Sequence, residues 1–357
     1  MFLHLRYDDL RKYHHLKETD RTAMKYTISD IARIANVSTA SVSRVINNKD
    51  RGVGAETRER ILKVIEELGY VPNLQARSIV MSETKTLGLI VPDITNPFFP
   101  QIVRSIVQHA ALEGYTVFLA DTGNDPQNEE NCVRMMLEKR VDGLIFAPNG
   151  QENRVPLLCA QNNVPLVQID RVAATDGACV TVDNRKGMCE ATRLLIAHEN
   201  KKIAFLGGPQ GVSPTTQRYE GYREAMDEAG IKIHKAAVLY GEFSVSSGIS
   251  MTRSLAASGY RPTAIVAGND LIAIGAVKAL REMGLRVPED CEVIGFDGIE
   301  MAEVIDPGIS TMRQPVTEMA EEAVKMLVGM VTGKISGNRR IVFDPELVLR
   351  QSTRFQR

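Results

Sequence analysis

The sequence predicts an α/β protein with two parts: a three-helix module of the helix-turn-helix type followed by a short helix, and a large core of parallel sheets flanked by helices. Three observations predict this arrangement. Residues 27–48 read as two short helices joined by a three-residue turn. From Thr86 onward, apolar runs of strand length alternate with amphipathic stretches of helix length. The same alternation restarts at residue 201, so we expect a core of two similar halves.

The first predicted helix starts at a capping box and buries one apolar stripe. Thr27 is followed three residues later by Asp30, a spacing at which the two residues cap each other's backbone amides. Apolar side chains then recur at the spacing of one helical face, at Ile28, Ile31, Ala32 and Ala35. We expect this helix to end at Ala35.

The second helix is predicted to expose a small, polar face. Asn36 can adopt the left-handed conformation that ends a helix, and Ser38 can cap the next one. If Val42, Val45 and Ile46 are buried, the residues left outside are Thr39, Ala40, Ser43, Arg44 and Asn47. Small residues let such a helix lie deep in the major groove of DNA, where side chains reach base edges and phosphates. An ordinary surface helical hairpin is the alternative interpretation of this pair of helices alone.

A third helix favours the DNA-binding interpretation. Residues 55–68 place Ile61, Val64, Ile65 and Leu68 at helical spacing and stop at Gly69, so three helices can close one core. After Pro72, which forces an extended backbone, Asn73 can cap a short helix-forming run that ends before Thr84. A helix of this length is marginal alone in water, so we expect it to order only when something holds it.

Composition and charge are those of a globular protein with a sizeable core. The 357 residues are 44% hydrophobic and carry a net charge of −1, and this length favours two or three domains. Residues 24–86 contain ten lysines or arginines against seven acidic residues, a net charge of +3 that suits nucleic acid. The five cysteines are scattered without a C-x-x-C pair, so we expect reduced packing residues, no metal site and no cofactor.

Residues 1–23 carry charges throughout and contain no apolar run long enough for a signal peptide or a membrane span. We therefore expect a cytoplasmic protein without membrane contact, in which this segment is a disordered extension. A metal site made by His4, His14 and His15 is the alternative for this segment.

The core is predicted to contain eight buried strands. They are LGLIV (87–91), TVFLA (116–120), DGLIFA (142–147), PLVQID (165–170), KKIAFLGG (201–208), AAVLYG (236–241), TAIVAGN (263–269) and CEVIGFD (291–297). Buried runs that alternate with helices, such as residues 99–113 and 128–139, predict parallel sheets covered on both faces. Ligands of such sheets bind beyond the carboxyl ends of the strands.

Polar side chains follow these strands where a ligand would bind. They are Asp121, Asp170, Arg171, Asn269, Asp270 and Asp297, and Arg218 opens a helix after a loop rich in glycine and proline. Carboxylates accept hydrogen bonds from adjacent hydroxyls, guanidinium groups donate to oxygens, and aromatic faces cover the apolar side of a sugar ring. Asp121 is equally compatible with a structural turn, and we expect Asp270 to cap the following helix.

Four stretches closely resemble the lactose-repressor (LacI/GalR) family of bacterial transcription regulators: TISDIARIANVSTASVSRVIN, ETRERILKVIEELGYVPN, LQARSI and TLGLIVPDITNPFF. The resemblance runs from Lys25 to nearly the last residue. It implies an extension at 1–23, a helix-turn-helix DNA-binding domain at 24–72, a hinge helix and linker at 73–86, and an effector-binding and dimerisation domain at 87–357. That domain would resemble a two-lobed periplasmic sugar-binding protein, with lobe 1 at about 87–182 and 314–340 and lobe 2 at about 183–313 and 341–357.

The resemblance also implies which residues bind DNA and effector. For DNA they are Thr27, Ser38, Thr39, Ala40, Ser41, Ser43, Arg44, Asn47, Tyr70, Asn73, Ala76 and Ile79. For the effector they are Asn96, Phe98, Phe99, Asp170, Arg171, Arg218, Phe243, Asn269, Asp297 and Gln314.

Five departures from the family pattern stand out. Ile79 occupies the position of a leucine that the family inserts into the minor groove, and its branched side chain is stiffer. Asn36, Ser41 and Gly54 replace a usual glycine, threonine and capping serine. Gly298 replaces an acidic residue common after Asp297, which either alters ligand choice or loosens the loop.

These features predict a homodimeric repressor of a carbohydrate-utilisation operon, which binds a pseudo-palindromic operator and is released by a small sugar. The runs DITNPFFPQ, VQIDR and GEFSVSSG are most like ribose-operon repressors, so ribose or another pentose is the expected effector. A hexose, a disaccharide, a nucleoside or a purine corepressor stays open. No leucine heptad helix follows the final strand expected in FDPELVLRQSTRFQR, so we expect a dimer rather than a tetramer.

Other function classes find less support. The sequence has no nucleophile elbow, phosphate loop or dinucleotide fingerprint, and His109, His198 and His234 stand apart from any nucleophile, so we expect no enzyme. The run GGPQGVSP (207–214) lacks the lysine of a phosphate loop and reads as a strand-to-helix connection at the cleft rim. The alternatives are an extracytoplasmic sugar-binding transport module and a DNA-binding protein whose core only dimerises.

Overall fold

The computed structural model describes residues 26–46, 52–70, 83–150, 152–173 and 177–354. The chain divides into two compact units, residues 1–82 and residues 83–357. The predicted extension at 1–23 and most of the predicted hinge segment at 73–86 lie outside the described residues.

The described residues of the small unit form three helices, α1 (Ile28–Ile34), α2 (Thr39–Ile46) and α3 (Ala55–Glu67). The capping box is confirmed, because the Thr27 amide donates to Asp30 at 3.0 Å and the Asp30 amide donates to the Thr27 hydroxyl at 3.3 Å. Asn36 adopts φ of 52°, and the Ser41 amide donates to the Ser38 hydroxyl at 3.1 Å. Local capping therefore determines both ends of the turn, as predicted.

Aliphatic side chains from all three helices form the core of the small unit. The buried residues are Ile31, Ala32, Ala35, Val42, Val45, Ile61 and Val64, all within the predicted stripes. Ile28, Ile46, Ile65 and Leu68 pack against them while partly exposed. The predicted helical periodicity is confirmed for this unit.

The large unit contains two six-stranded sheets. Sheet 1 consists of β1 (Thr86–Val91), β2 (Thr116–Asp121), β3 (Gly143–Phe146), β4 (Leu166–Ile169), β5 (Ala178–Val182) and β11 (Arg340–Phe343), in the spatial order β11-β5-β4-β3-β1-β2. Sheet 2 consists of β6 (Ile203–Gly207), β7 (Val238–Tyr240), β8 (Ala264–Ala267), β9 (Glu292–Asp297), β10 (Ser310–Arg313) and β12 (Glu346–Val348), in the order β12-β10-β9-β8-β6-β7. Among the described strands, every pairing is parallel except that of β10 with β12.

Helices cover both sheets. Lobe 1 comprises sheet 1 with α4 (Phe98–Leu112), α5 (Pro126–Glu138), α6 (Val155–Gln161) and α12 (Val316–Val331). Lobe 2 comprises sheet 2 with α7 (Asn184–Ala197), α8 (Ser213–Glu228), α9 (Val245–Ala257), α10 (Asp270–Glu282) and α11 (Met301–Val304). Helices pack on both faces of the central strands, so most of their apolar side chains are buried. β2 was predicted as a buried strand, but Ala120 is its one buried residue, because β2 lies at the edge of sheet 1.

The chain passes between the lobes three times. The passages after Val182 and after Arg313 lie where the sequence predicts them. The third passage was predicted at about 340/341, and β11 pairs with β5 as far as Phe343, so it lies after Phe343. The final strand expected in FDPELVLRQSTRFQR is β12. Asp344 and Pro345 separate it from β11, and proline has no backbone amide to donate to a sheet.

Strands β5 and β10 were not predicted as apolar runs. Their sequences, ACVTV and STMR, include hydroxyl side chains, and Ser310 and Thr311 are fully buried. The Ser310 hydroxyl satisfies its hydrogen bonds with Thr353 and the Arg350 backbone. A strand that buries hydroxyls bonded to distant residues shows no hydrophobic signature in the sequence.

Two glycines allow α9 and α10 to pack backbone against backbone. A Cβ atom on Gly248 would lie 2.2 Å from the Ile272 carbonyl oxygen, and one on Gly275 would lie 2.2 Å from the Val245 carbonyl oxygen. No side chain fits at such distances. This contact brings α10, whose N-terminus lies at the carboxyl end of β8, close against the sheet.

Asp270 ties together three segments of lobe 2. Its carboxylate accepts hydrogen bonds from the Gly298 amide at 2.8 Å, the Ile299 amide at 2.9 Å and the Thr311 hydroxyl at 2.6 Å. The prediction that Asp270 caps the helix was wrong, because Asn269 does so by accepting from the Ile272 amide at 3.0 Å. Burial raises the pKa of Asp270 to about 7, with a further contribution from the charge of Asp297.

The backbone conformation at position 298 explains why a glycine is present there. This residue has φ of 79°, and a Cβ atom there would lie 2.6 Å from Cγ of Arg313. The conformation that brings the amide to Asp270 therefore leaves no room for a side chain.

We predict that replacing Asp270 by Asn changes how stability depends on pH. The folded pKa of about 7 lies above that of an unfolded aspartate, so the stabilisation from this group is complete below about pH 4 and is lost as the pH rises through 7. Relative to Asp270→Asn, the parent's free energy of unfolding should fall by up to about 4 kcal/mol between pH 4 and 8. Urea denaturation across this range measures the difference. The exposed Asp227→Asn variant should follow the parent, and parallel curves for parent and Asp270→Asn would contradict the assignment.

Candidate functional site

Side chains from both lobes converge at the facing carboxyl ends of the two sheets. The lining residues are Asn96, Phe98, Phe99, Asp170 and Arg171 from lobe 1, and Pro214, Arg218, Phe243 and Asp297 from lobe 2. The cavity between them has a volume of about 10 Å³, which is the space that one water molecule needs. Eight of the ten predicted effector residues are among them. Pro214 was not predicted.

On the lobe 1 side, Arg171 lies between two aromatic rings. Its guanidinium carbon is 5.3 Å from the ring centre of Phe99 and 5.6 Å from that of Phe243, within the range of cation–π attraction. Its Nε is 3.6 Å from a carboxylate oxygen of Asp170, and its Nη1 donates to Oδ1 of Asn149 at 3.4 Å. Nε is buried and has no hydrogen-bond partner among the described residues.

On the lobe 2 side, Arg218 makes three hydrogen bonds. Nε donates to Asn184 at 2.7 Å, Nη1 donates to the Gly268 carbonyl, and Nη2 donates to Asp297 at 3.3 Å. The guanidinium also lies 3.8 Å above the ring centre of Phe296. Much of the hydrogen-bonding capacity of Arg218 therefore serves to hold Asp297 and the end of β8.

Gln314 lies where the chain passes from β10 to α12. Its side-chain amide donates to Oδ1 of Asp297 at 2.9 Å, and its backbone amide donates to the Asp297 carbonyl at 3.1 Å. Its Oε1 is buried without a hydrogen-bond partner in the described part of the chain. Gln314 does not line the cavity directly, but it orients a carboxylate that does.

Burial changes the acidity of the charged side chains at this site. It raises the pKa of Asp297 to about 6, although Arg218 opposes this, and it raises the pKa of Asp170 against the charges of Arg171 and Arg218. Burial also lowers the pKa of Arg171, and Asp170 opposes that change. Asp170 and Asp297 have φ of 63° and 108°, in the region of positive φ that non-glycine residues adopt uncommonly.

Gly208 makes room for the Phe243 ring. A Cβ atom on Gly208 would lie 2.2 Å from two ring atoms of Phe243. The run GGPQGVSP indeed connects a strand, β6, to a helix, α8, as predicted. Its paired glycines after a strand were the available signal that another side chain packs on this backbone.

Two other strand-end residues have structural partners. Asn269 caps α10 and is not among the lining residues. Asp121 accepts a hydrogen bond from the Gly123 amide at 3.0 Å, so the turn interpretation describes its geometry. Asn149, which contacts Arg171, was not predicted because it follows β3 in a segment without a family motif.

The arrangement combines acceptors, donors and apolar surface from two lobes. Asp170 and Asp297 present carboxylates, Arg171 and Arg218 present N–H groups, and the phenylalanines present ring faces. Such a set can bind a small molecule that carries both hydrogen-bond donors and acceptors around an apolar surface.

The predicted DNA-facing side chains lie on the small unit as follows. Thr39, Ala40 and Arg44 are exposed on α2, and Ser41, Ser43 and Tyr70 are half-buried. Thr27 and Ser38 are exposed, and their hydroxyls cap α1 and α2. The other predicted DNA-binding residues, Asn47, Asn73, Ala76 and Ile79, lie outside the described residues.

Over the described ranges, no group of histidine, cysteine and acidic side chains could hold a metal ion. No helix within the same ranges has the length and apolar character needed to span a bilayer. The five cysteines are unpaired, and four of them are buried.

Two family models match this chain. Residues 27–73 match the bacterial regulatory proteins of the lacI family, and residues 192–353 match a periplasmic binding protein-like domain. The first match covers the helix-turn-helix unit, and the second covers most of lobe 2 together with α12, β11 and β12.

Named relatives align over nearly their full length. The HTH-type transcriptional repressor PurR of Haemophilus influenzae (strain PittEE) is 36% identical over 332 residues, which cover 92% of this chain and 98% of the relative. The HTH-type transcriptional regulator DegA of Bacillus subtilis (strain 168) is 33% identical over 342 residues, with the same coverage of 92% and 98%.

Solved structures agree with these relatives. The transcriptional regulator CelR in complex with cellobiose is 32% identical with a TM-score of 0.71, and the alignment covers 92% of this chain and 99% of that one. The lac repressor dimer bound to operator and the anti-inducer ONPF is 27% identical with a TM-score of 0.85 and the same coverage. This chain therefore belongs to the lacI family of bacterial regulatory proteins and is a DNA-binding transcriptional repressor with a periplasmic-binding-protein-like ligand domain.

Proposed function

We propose that this repressor acts as a homodimer on a carbohydrate-utilisation operon and is released from its operator by a small sugar, with ribose or another pentose as the first candidate. The observation that carries the proposal is the convergence of two carboxylates, two guanidinium groups and three phenylalanines from both lobes.

Hydroxyl groups suit this combination better than a heterocycle does. Each sugar hydroxyl both donates and accepts, so neighbouring hydroxyls can donate to Asp170 or Asp297 and accept from Arg171 or Arg218. The ring faces of Phe98, Phe99 and Phe243 would cover the apolar side of the sugar. A purine base has fewer donors to offer to two buried carboxylates.

Release of the repressor from its operator follows if the ligand contacts both lobes. The cavity of about 10 Å³ is smaller than a monosaccharide, so binding requires the lobes to move relative to each other. A sugar that favours one arrangement of the lobes shifts the dimer interface and separates the two predicted hinge helices. Sugar and operator then oppose each other through a shared conformational equilibrium.

A purine-related effector is the second candidate. The relatives named PurR, which align over 98% of their length, favour it. Aromatic rings could stack on a purine, and such a ligand acting as a corepressor would strengthen operator binding instead of weakening it.

We predict that D-ribose or a related pentose raises the melting temperature of the full chain, because a ligand that binds only the folded state stabilises it. At a hundredfold excess over Kd the stabilisation is about 2.7 kcal/mol, or several degrees. A thermal-shift screen with monosaccharides, cellobiose, hypoxanthine and guanine, followed by operator titration with the hits, measures both effects.

The Gly208→Ala variant provides a test that the hit binds between the lobes. Its added methyl displaces Phe243, so the sugar should raise the melting temperature less than in the parent, whereas Gly150→Ala adds a methyl in open space and should respond fully. A response to purines with tighter operator binding, and none to sugars, would replace the first candidate by the second.

We predict that Arg44→Ala weakens operator binding about 10- to 100-fold, because a side chain that contacts a base edge contributes roughly 1–3 kcal/mol. Arg44 is exposed on α2 beside Thr39 and Ala40. Fluorescence anisotropy with the promoter fragment that the parent selects from genomic DNA measures this loss. Lys63→Ala removes an exposed cation from α3 and should bind normally. Equal affinities for parent and Arg44→Ala would contradict the assignment of α2 as the recognition helix.

An exposed apolar surface on lobe 1 supports the homodimer. β2 is an edge strand of sheet 1, and Phe118 and Leu119 on it are 42% and 45% exposed. Val107 and Leu112 on α4, which packs beside β2, are 44% and 83% exposed. Uncovered apolar edges of this kind usually mark an interface. A second copy is the occupant that a two-fold operator requires.

We predict that Phe118→Glu converts the dimer to a monomer, because it places a charge in an apolar interface. Sedimentation velocity at micromolar concentration measures the change. Leu157→Glu alters a side chain that is 54% exposed on α6, away from β2, and should remain dimeric. A dimeric Phe118→Glu protein would place the interface elsewhere.

A further inference from the structure

A buried carboxylate lies behind the lobe 1 side of the cleft. Glu129, on α5, is only 1% exposed and does not line the cavity. One carboxylate oxygen accepts the Asn149 backbone amide at 2.6 Å, and the other accepts the Asn153 side-chain amide at 2.6 Å. Glu129 thus holds the segment that follows β3 from two points.

Asn149 passes this constraint to the cleft. Its side-chain Nδ2 donates to the Asn124 carbonyl, which turns Oδ1 the other way. Oδ1 accepts from Nη1 of Arg171 at 3.4 Å. With its backbone amide on Glu129 and its Nδ2 on a carbonyl, the Asn149 side chain has one orientation available, and that orientation presents an acceptor to Arg171.

The electrostatic attraction between Glu129 and Arg171 favours the same arrangement as these hydrogen bonds. Burial raises the pKa of Glu129, and the positive charge of Arg171 is among the influences that lower it. In return, Glu129 helps to keep Arg171 protonated against its burial. The two groups therefore stabilise each other's charged forms across Asn149.

Without Asn149, Arg171 would have a different lowest-energy position. Its Nε, which has no hydrogen-bond partner among the described residues, already lies 3.6 Å from Asp170. A guanidinium released at Nη1 can rotate to make a two-point pair with that carboxylate, as arginine prefers. Such a rotation would move it out of the space between Phe99 and Phe243.

We propose that Glu129 and Asn149 are positioning residues that hold the Arg171 guanidinium between Phe99 and Phe243 and thereby set the effector affinity of the cleft. This inference rests on the proposed function, since it takes the cleft as the effector site. The alternative is that both residues serve only to anchor the segment after β3.

A double-mutant cycle separates the two roles. Asn149→Ala keeps the backbone amide that Glu129 binds and removes only the contact with Arg171 and the Asn124 carbonyl. With D-ribose as the probe in isothermal titration calorimetry on the full chain, Asn149→Ala should weaken binding about tenfold. In an Arg171→Ala background, the same substitution should have no further effect, because the group that it positions is gone. Equal losses in both backgrounds would overturn the proposal.

The matched control is Asn128→Ala. Asn128 lies on α5 next to Glu129 and donates its side-chain amide to the Thr122 carbonyl at 3.2 Å. It therefore anchors a neighbouring loop in the way that Asn149 does, without a contact to Arg171. This variant should bind the probe like the parent. If Asn128→Ala weakened binding of the probe as much as Asn149→Ala does, both asparagines would serve only to anchor their loops.

A second pair of variants tests Glu129 by rescue. In Glu129→Gln the new side-chain amide nitrogen faces the side-chain amide nitrogen of Asn153, so two donors meet. Adding Asn153→Asp replaces the second donor by a carboxylate acceptor and restores the hydrogen bond. Affinity should fall in the single variant and recover substantially in the double variant. Parental affinity in Glu129→Gln, together with reduced thermal stability, would show an anchoring role alone.

If neither the parent nor any variant binds D-ribose, that result counts against the proposed pentose effector and not against the positioning role. Crystal structures then test the positioning role. In Asn149→Ala crystals the guanidinium should have moved from the rings towards Asp170. A guanidinium that remains between Phe99 and Phe243 would overturn the positioning role whatever the effector is.

Discussion

The burial of opposite charges between two lobes is the constraint on which the rest of the ligand domain depends. Asp170, Arg171, Arg218 and Asp297 each expose 6% of their surface or less. An unpaired charge in such surroundings costs several kcal/mol, so each must be paired or neutralised. Arg171 pairs with Asp170 within lobe 1, and Arg218 pairs with Asp297 within lobe 2. Arg171 also lies between one aromatic ring from each lobe, so its environment depends on how the lobes are arranged.

The two lobes support this cluster in the same way. Each carries a buried carboxylate on a helix behind the cleft, Glu129 on α5 and Asp270 on α10. Each carboxylate accepts backbone amides from the segment that follows a central strand, at Asn149 in lobe 1 and at Gly298 and Ile299 in lobe 2. Because backbone amides are bound, the cleft segments are held without using their own side chains. Those side chains remain available for a ligand.

The helix-turn-helix unit relies on different interactions. Seven buried aliphatic side chains and two helix caps hold its three helices. A unit of this size buries little apolar surface and is expected to be marginally stable. Its exposed α2 face is small and polar, which suits contact with DNA and contributes little to its own folding. The chain thus combines a charged cleft in one unit with an aliphatic core in the DNA-binding unit, and regulation by a ligand requires a free-energy coupling between the two units.

Local chemistry in the sequence determined the elements and their ends. Helical periodicity, the Thr27 and Asp30 capping box, and the conformation of Asn36 involve neighbours a few residues apart, so the sequence alone predicts them. Strand-end positions and the family resemblance together placed eight effector candidates on one cavity. Tertiary structure alone decided which groups pair, as with Arg218 and Asn184, Glu129 and Asn149, or Asp270 and Gly298. It also decided that Asn269 rather than Asp270 caps α10 and that β11 extends sheet 1. These outcomes depend on distances between residues far apart in the chain, which periodicity and capping rules do not encode.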